Sequence, residues 1–278
     1  MSRVVIVTDS TADFPFPAGA LDRRRIAIVP LYVRFGKEEY RDRVNLTGDE
    51  FFSRLKNSEA LPMTSQPTPD DFLKAYKKAG PKIFSLHISA KLSGTLESAK
   101  RARKEVPVHF DVRTLDSQTL SLGLGFLVMR AAEMAEAGAS FNAIEEETKR
   151  LIPKVRLYGV LDTLRYLEKG GRIGAVSAFL GSILQVKPMI SIRNGEVVPV
   201  ERNRSKAKSL ERLVEIVSGE GDMLKVGVIH AAAEEEAKEL AKRLKAVYPG
   251  KSIPVVQTGT IIGTHSGPGL VGICGLLK

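Results

Sequence analysis

Three short stretches combine hydroxyl side chains with glycine or proline, each where an apolar run ends. They are Met63-Thr64-Ser65-Gln66-Pro67, Ser89-Ala90-Lys91-Leu92-Ser93-Gly94-Thr95 and Gly263-Thr264-His265-Ser266-Gly267-Pro268-Gly269. Turns of this composition leave backbone N–H groups and hydroxyls free to meet an anion. The second one runs into a helix N-terminus, where the dipole favours negative charge. A phosphate or carboxylate pocket is the chemistry these residues suggest.

Each stretch also has a plainer reading. Ser93 or Thr95 would serve as an ordinary N-cap, and Thr64-Ser65-Gln66-Pro67 as a loop before a helix. Asp9 and Asp116 each end a strand and precede a serine, as turn or cap residues do. His265 is one of four histidines, with His87, His109 and His230, and they lack the close spacing of a zinc site. Gly123-Leu124-Gly125 has no third glycine at dinucleotide spacing, and Arg172 follows what reads as a helix C-cap glycine.

The elements that must carry these residues alternate. Val4–Thr8 and Ile26–Val33 read as apolar strands, the latter turning through Gly36-Lys37 into Glu38–Arg41. Thr47 and Glu50 have capping-box spacing for a helix through Lys56, and Thr68-Pro69 opens a helix through Ala79. Ile83–His87 and Val108–Leu115 read as strands, and Gly94–Lys104, Leu120–Ala137 and Phe141–Arg150 as helices. Such alternation predicts a mainly parallel sheet covered by helices.

In the second half, Tyr158–Leu161 reads as strand, with helices over Thr163–Lys169 and Ser177–Leu184. Asn194-Gly195 between Ile190–Arg193 and Glu196–Val200 marks a type I′ hairpin. Ser205–Val217 and Glu234–Ala246 are predicted helices and Val226–Ile229 a strand. Val255–Ile262 and Leu270–Leu276 are predicted to be closing strands around a Gly263–Gly269 loop. The expected division is an N-terminal α/β unit over residues 1–150 and a C-terminal α/β unit over 151–278.

A chain of 278 residues with 43% hydrophobic and 27% charged residues has the composition of a globular protein with a sizeable core. Its single cysteine, Cys274, cannot pair internally and lies in an apolar run, as an inert buried thiol would. No apolar run approaches a membrane span and no signal-like segment opens the sequence, so a cytoplasmic location is expected. The net charge of +10 is concentrated between Lys154 and Arg212. That excess would favour encounter with an acidic protein or an anionic membrane surface. Zero tryptophan, 6% aromatic residues and no binding motif argue against nucleic acid despite a pI near 9.6.

The whole pattern resembles the DegV family of bacterial fatty-acid-binding proteins. Besides the hydroxyl stretches, the resemblance rests on Val4-Val5-Ile6-Val7-Thr8-Asp9-Ser10-Thr11-Ala12-Asp13, Leu115-Asp116-Ser117, Leu167-Glu168-Lys169-Gly170-Gly171-Arg172-Ile173 and Lys187-Pro188-Met189-Ile190. It implies two α/β domains with a long-chain fatty acid, such as palmitate, held between them. It further implies that Ser93, Gly94 and Thr95 hold the carboxylate, that Thr64 and Ser65 add hydroxyls, and that His265 lies beside it. Arg172 would face a separate ATP-dependent fatty acid kinase. The implied role is a non-enzymatic carrier subunit that needs no cofactor or metal and delivers acyl phosphate to phospholipid synthesis. The absence of Walker A, kinase and Gly-x-Ser-x-Gly motifs agrees with that. The competing expectation is a serine hydrolase in which Ser93 attacks, His265 is the base and Asp9 or Asp116 orients it.

Overall fold

The computed structural model describes residues 3–58, 60–180 and 186–278. The first half contributes strands β1 (Val5–Asp9), β2 (Ile26–Val29), β3 (Tyr32–Phe35), β4 (Glu38–Arg41), β5 (Met63–Ser65), β6 (Lys82–His87) and β7 (Asp111–Asp116). The second contributes β8 (Val155–Val160), β9 (Lys187–Arg193), β10 (Glu196–Asn203), β11 (Met223–His230), β12 (Val255–Gln257) and β13 (Val271–Leu277). Among the described residues they form three sheets. One is parallel, in the order β2-β1-β6-β7; a small antiparallel one runs β4-β3-β5; a third, mixed sheet runs β10-β9-β8-β13-β11-β12. In the third sheet only the pairing of β11 with β12 is parallel. The architecture is mixed α/β.

Helices α1 (Gly48–Asn57) and α2 (Pro69–Ala79) begin at the predicted caps: Thr47 forms the expected box with Glu50, and Thr68, followed by Pro69, forms a further one with Asp71. They are followed by α3 (Thr95–Glu105), α4 (Ser121–Glu136) and α5 (Phe141–Leu151), then by α6 (Arg165–Lys169), α7 (Lys206–Gly219), α8 (Glu234–Val247) and α9 (Thr260–Ser266). Most of α4 is buried, because it touches β1 and β6 of the parallel sheet and β8, β11 and β13 of the mixed sheet. Its apolar residues on every side fit that position. Gly125 lets the helix approach the Asp13 carbonyl, which a Cβ there would meet at 2.0 Å. The Asn194-Gly195 hairpin has positive φ at both residues, as a type I′ turn requires.

Four predicted elements differ. Ile26–Val33 is not one strand: Pro30, which has no N–H for a ladder, separates β2 from β3, and the two join different sheets. The strand predicted from Val108 starts only at Asp111, since a turn closed by Phe110 N–H to the Pro107 carbonyl leaves Val108 exposed. Val255–Ile262 is strand only to Gln257, and Thr260 to Ser266 is helix. Most of the Gly263–Gly269 stretch is thus the end of a helix rather than a loop. Finally, the helix predicted over Ser177–Leu184 is a 3-10 turn over Gly174–Phe179 in its described part, and the rest lies outside the described residues.

Candidate functional site

An apolar cavity of about 330 Å³ lies between the segments that leave β2, β6 and β7, strand β5, helix α9 and the mixed sheet. Its walls come from both halves of the chain: Leu31, Ile88 and Leu120 from the first, and Leu157, Leu161, Ile190 and Ile229 from the second. Gly159 makes room in the wall for Leu270, whose Cδ1 a Cβ there would meet at 2.9 Å. Polar groups gather at one region of the lining: Thr64, Ser65, Gln66, Ser93, Arg172 and His265.

Each polar residue is placed by a different element. Thr64 and Ser65 belong to the short strand β5, paired with β3, rather than to a turn. Ser93 ends the loop after β6. That loop starts from Ile88, whose N–H donates to Asp9 Oδ2 at 3.0 Å, and turns at Ser89, whose carbonyl accepts from Leu92 and Ser93 N–H. The second half pins the same loop through Ser89 Oγ donating to the Gly195 carbonyl (2.7 Å) and Lys91 paired with Glu196 (3.1 Å). Arg172 Nε also donates to the Leu92 carbonyl at 3.3 Å.

His265 lies on the last turn of α9, and its Nε2 is 2.9 Å from Thr64 Oγ1 across 201 residues of sequence. The ring is packed against Gly170, where a Cβ would stand 2.2 Å from His265 Nδ1. The Gly170-Gly171-Arg172 turn therefore admits the imidazole at its first glycine. Burial, with Arg172 adding repulsion, pushes the His265 pKa down to about 4. At neutral pH the imidazole is uncharged and offers a hydrogen bond, while Arg172 supplies positive charge at the exposed rim.

Not every residue expected at the anion site reaches the cavity. Thr95 is fully buried, lies outside the lining and braces Ser93, with the two hydroxyl oxygens 2.8 Å apart. Gly94 borders an outer groove of about 540 Å³ that shares Leu92, Ser93, Arg172 and Val197 with the cavity. It is the N-cap residue of α3, and one position earlier Ser93 Oγ accepts the Thr95 N–H at 3.3 Å, so Ser93 both closes the helix start and lines the cavity. The lack of a side chain at Gly94 admits Gln66, whose Oε1 a Cβ would meet at 2.0 Å. Gln66 was missed as a lining residue, though it stands inside the Thr64-Ser65-Gln66-Pro67 stretch.

The hydrolase arrangement is not assembled. His265 bonds Thr64, its Nδ1 has no hydrogen-bond partner among the described residues, and neither Asp9 nor Asp116 orients it. Asp9 is committed to Thr11, His87 and the Ile88 N–H, all buried, while Asp116 accepts from the Ala90 and Gln118 N–H groups. Asp9, His87 and Ser85 do form a chain of hydrogen bonds, His87 Nε2 lying 2.6 Å from Ser85 Oγ. All three are fully buried, and the chain ends on Tyr76. Cys274 is buried against α4, and burial pushes its thiol pKa up, away from a thiolate. Among the described residues no group of His, Cys, Asp and Glu could hold a metal, and no helix is long and apolar enough to cross a membrane.

Chemically, the cavity suits a molecule with a long apolar body and a small anionic head that accepts from hydroxyls. Known proteins carry the same architecture. The chain matches the DegV family over residues 3–278. It is 34% identical to a DegV family protein from Thermus thermophilus described for fatty acid binding, with a TM-score of 0.89 and 100% of both chains covered. It is 35% identical to DegV, a fatty acid binding protein from Bacillus subtilis, with a TM-score of 0.90 over 99% of each chain. A stearic acid-binding protein from Eubacterium ventriosum is 26% identical, with a TM-score of 0.90 over 98% of each. With its full length matched in both sequence and fold, the chain belongs to the DegV family.

Proposed function

We propose that this protein binds one long-chain fatty acid, its hydrocarbon tail in the apolar cavity and its carboxylate among Ser93, Thr64, Ser65 and His265. The observation that carries this reading is the joining of an aliphatic cavity to one cluster of hydroxyls with an uncharged histidine and a rim arginine. Each methylene removed from water contributes about 0.8 kcal/mol, so a sixteen-carbon tail supplies on the order of 10 kcal/mol before ordering costs are subtracted. Hydroxyl donors to a carboxylate are charge-assisted and add orientation. The fatty acids named for the family's solved relatives, stearic acid among them, point the same way.

The finer role is a carrier. The cavity and the outer groove share Ser93 and Arg172, which would leave the carboxylate within reach of a second protein while the tail stays covered. A separate ATP-dependent fatty acid kinase in the cytoplasm would phosphorylate it there, and this protein would carry the acyl phosphate toward phospholipid synthesis. Arg172 would serve the phosphoryl-transfer step, since arginine offers paired donors to phosphate oxygens. The basic segment would assist encounter with the kinase or transient contact with anionic membranes, although Arg156, Lys187, Lys206 and Arg212 hold acidic partners within the protein. In this scheme residues 1–150 and 151–278 act as the two domains on either side of the ligand.

Mass spectrometry of an organic extract of the purified protein tests the binding reading. A stoichiometric fatty acid is expected. An empty extract, together with no uptake of added palmitate, would remove it.

A further inference from the structure

A second hollow lies beside the cavity: a groove of about 680 Å³ where the charged Asp116, Lys149, Arg156, Arg193 and Glu220 alternate with apolar residues such as Ile152. Among the described residues Ile192 alone lines both. We propose that Ile192 is the partition that sets the acyl chain length this protein accepts, an inference that rests on the fatty-acid reading above.

The wall is held in place by its strand. Ile190 and Ile192 both line the cavity, as alternate residues of β9 share one face. Between them, Ser191 Oγ donates to the Leu157 carbonyl at 2.9 Å and ties β9 to β8. On the other side Ile192 pairs with Val197 of β10, and Gly195 of the hairpin tip is latched to Ser89. The partition therefore cannot swing aside as a loop residue would. Beyond it, the Arg156–Glu220 ion pair with Asp116, Lys149 and Arg193 breaks up the apolar surface of Leu115, Ile152 and Val155, so a methyl terminus there would lie against charge as well as hydrocarbon. A tail that reaches Ile192 gains less by passing it than by stopping or folding back against the wholly aliphatic wall of Ile190, Leu157 and Leu120.

The experiment compares palmitate with behenate, which is six carbons longer, on wild type, Ile192→Val, Ile192→Ala and Ile192→Phe. Wild type should favour palmitate. Shortening the side chain should raise the behenate-to-palmitate affinity ratio progressively, by about tenfold or more in Ile192→Ala, the effect of accommodating roughly two further methylenes. Ile192→Phe should shift preference toward myristate. Ile192→Val keeps the fold if the alanine variant does not. A behenate-to-palmitate ratio equal across the folded variants would overturn the partition. Wild type that binds neither acid would overturn the fatty-acid reading and this inference with it.

Discussion

Asp42 caps α9 from 218 residues away: its Oδ1 accepts both the Thr260 backbone N–H (3.2 Å) and the Thr260 hydroxyl (2.7 Å). The neighbouring Asp13, paired with Arg43 and Ser121, accepts the Gly259 N–H at 3.2 Å. The first half of the chain thus fixes the start of the helix whose last turn carries His265. Burial raises the Asp13 pKa while Arg43 opposes the rise.

Asp42→Ala should therefore act at a distance. Losing a buried cap with two donors should lower stability by about 1–3 kcal/mol. Fatty-acid affinity should fall as well, because α9 can then shift His265 away from Thr64. Calorimetric titration checks the second effect on protein shown to be folded at the assay temperature, and Asp42→Asn, which keeps an acceptor, should recover part of both.

At the anion site, Ser93→Ala combined with Thr64→Ala should weaken fatty-acid binding by about 2–4 kcal/mol, through two lost charge-assisted hydrogen bonds. Ligand-free stability should fall by less, about 1–2 kcal/mol, through the lost Thr64–His265 bond and the Ser93 bond to the Thr95 N–H. Unaltered affinity in the double variant would exclude these hydroxyls from the site.

Gly170→Ala introduces no backbone strain, for φ is −77°. The new Cβ would, however, stand 2.2 Å from His265 Nδ1. Overpacking of this kind costs about 1–3 kcal/mol. The share due to His265 should vanish in a His265→Ala background, while the Tyr166 carbonyl, 2.9 Å from the same Cβ, keeps the remainder; a double-mutant cycle on thermal stability measures the coupling.

The lowered His265 pKa, about 4 against an ordinary 6.5, has a definite sign. Between these values the unfolded chain binds a proton that the folded protein refuses, so stability falls as pH drops through this window. Above pH 6.5 the contribution is complete. A His265→Gln variant should lack this acid-dependent loss, which is about 3 kcal/mol at most in wild type. Because Arg172 adds to the depression, Arg172→Ala should raise the histidine pKa, as read from the imidazole resonances in a pH titration.

Arg172 itself is exposed and, among the described residues, donates to the Gly170 and Leu92 carbonyls rather than to any carboxylate. On the carrier reading, Arg172→Ala should leave palmitate affinity nearly intact while sharply reducing kinase-dependent phosphorylation. Parallel loss of both would assign the residue to the ligand pocket or the fold.

Local signals served well where local physics decides. Thr47 with Glu50, Thr68 with Pro69, and Asn194-Gly195 each specify their conformation within a few residues, and each was legible. Thr260–Ser266 was not, because Thr-Ile-Ile has strand-like propensity while the helix depends on Asp42 and on Gly263 lying against Phe51 and Phe52. The hydroxyl stretches pointed to Thr64, Ser93 and His265 as a group, but only tertiary packing could separate Ser93, on the cavity wall, from Thr95, buried behind it. Ile192 gave no signal, since an isoleucine in a strand looks the same whether it fills a core or divides two hollows.

The position of α4 also governs how the protein comes apart. Leu122 approaches Gly227 and Gly123 approaches Val155 and Cys274 in the mixed sheet, while Gly125 rests on the Asp13 backbone of the parallel side. A fragment ending near residue 150 would keep this helix but leave its Leu122 flank bare to water, and the complementary fragment would lose the surface that covers β8 and β13. Neither piece buries its own apolar surface alone, and loss of structure on either side of the helix strips the other. Melting should be a single cooperative event, with the apolar cavity persisting until the chain as a whole lets go.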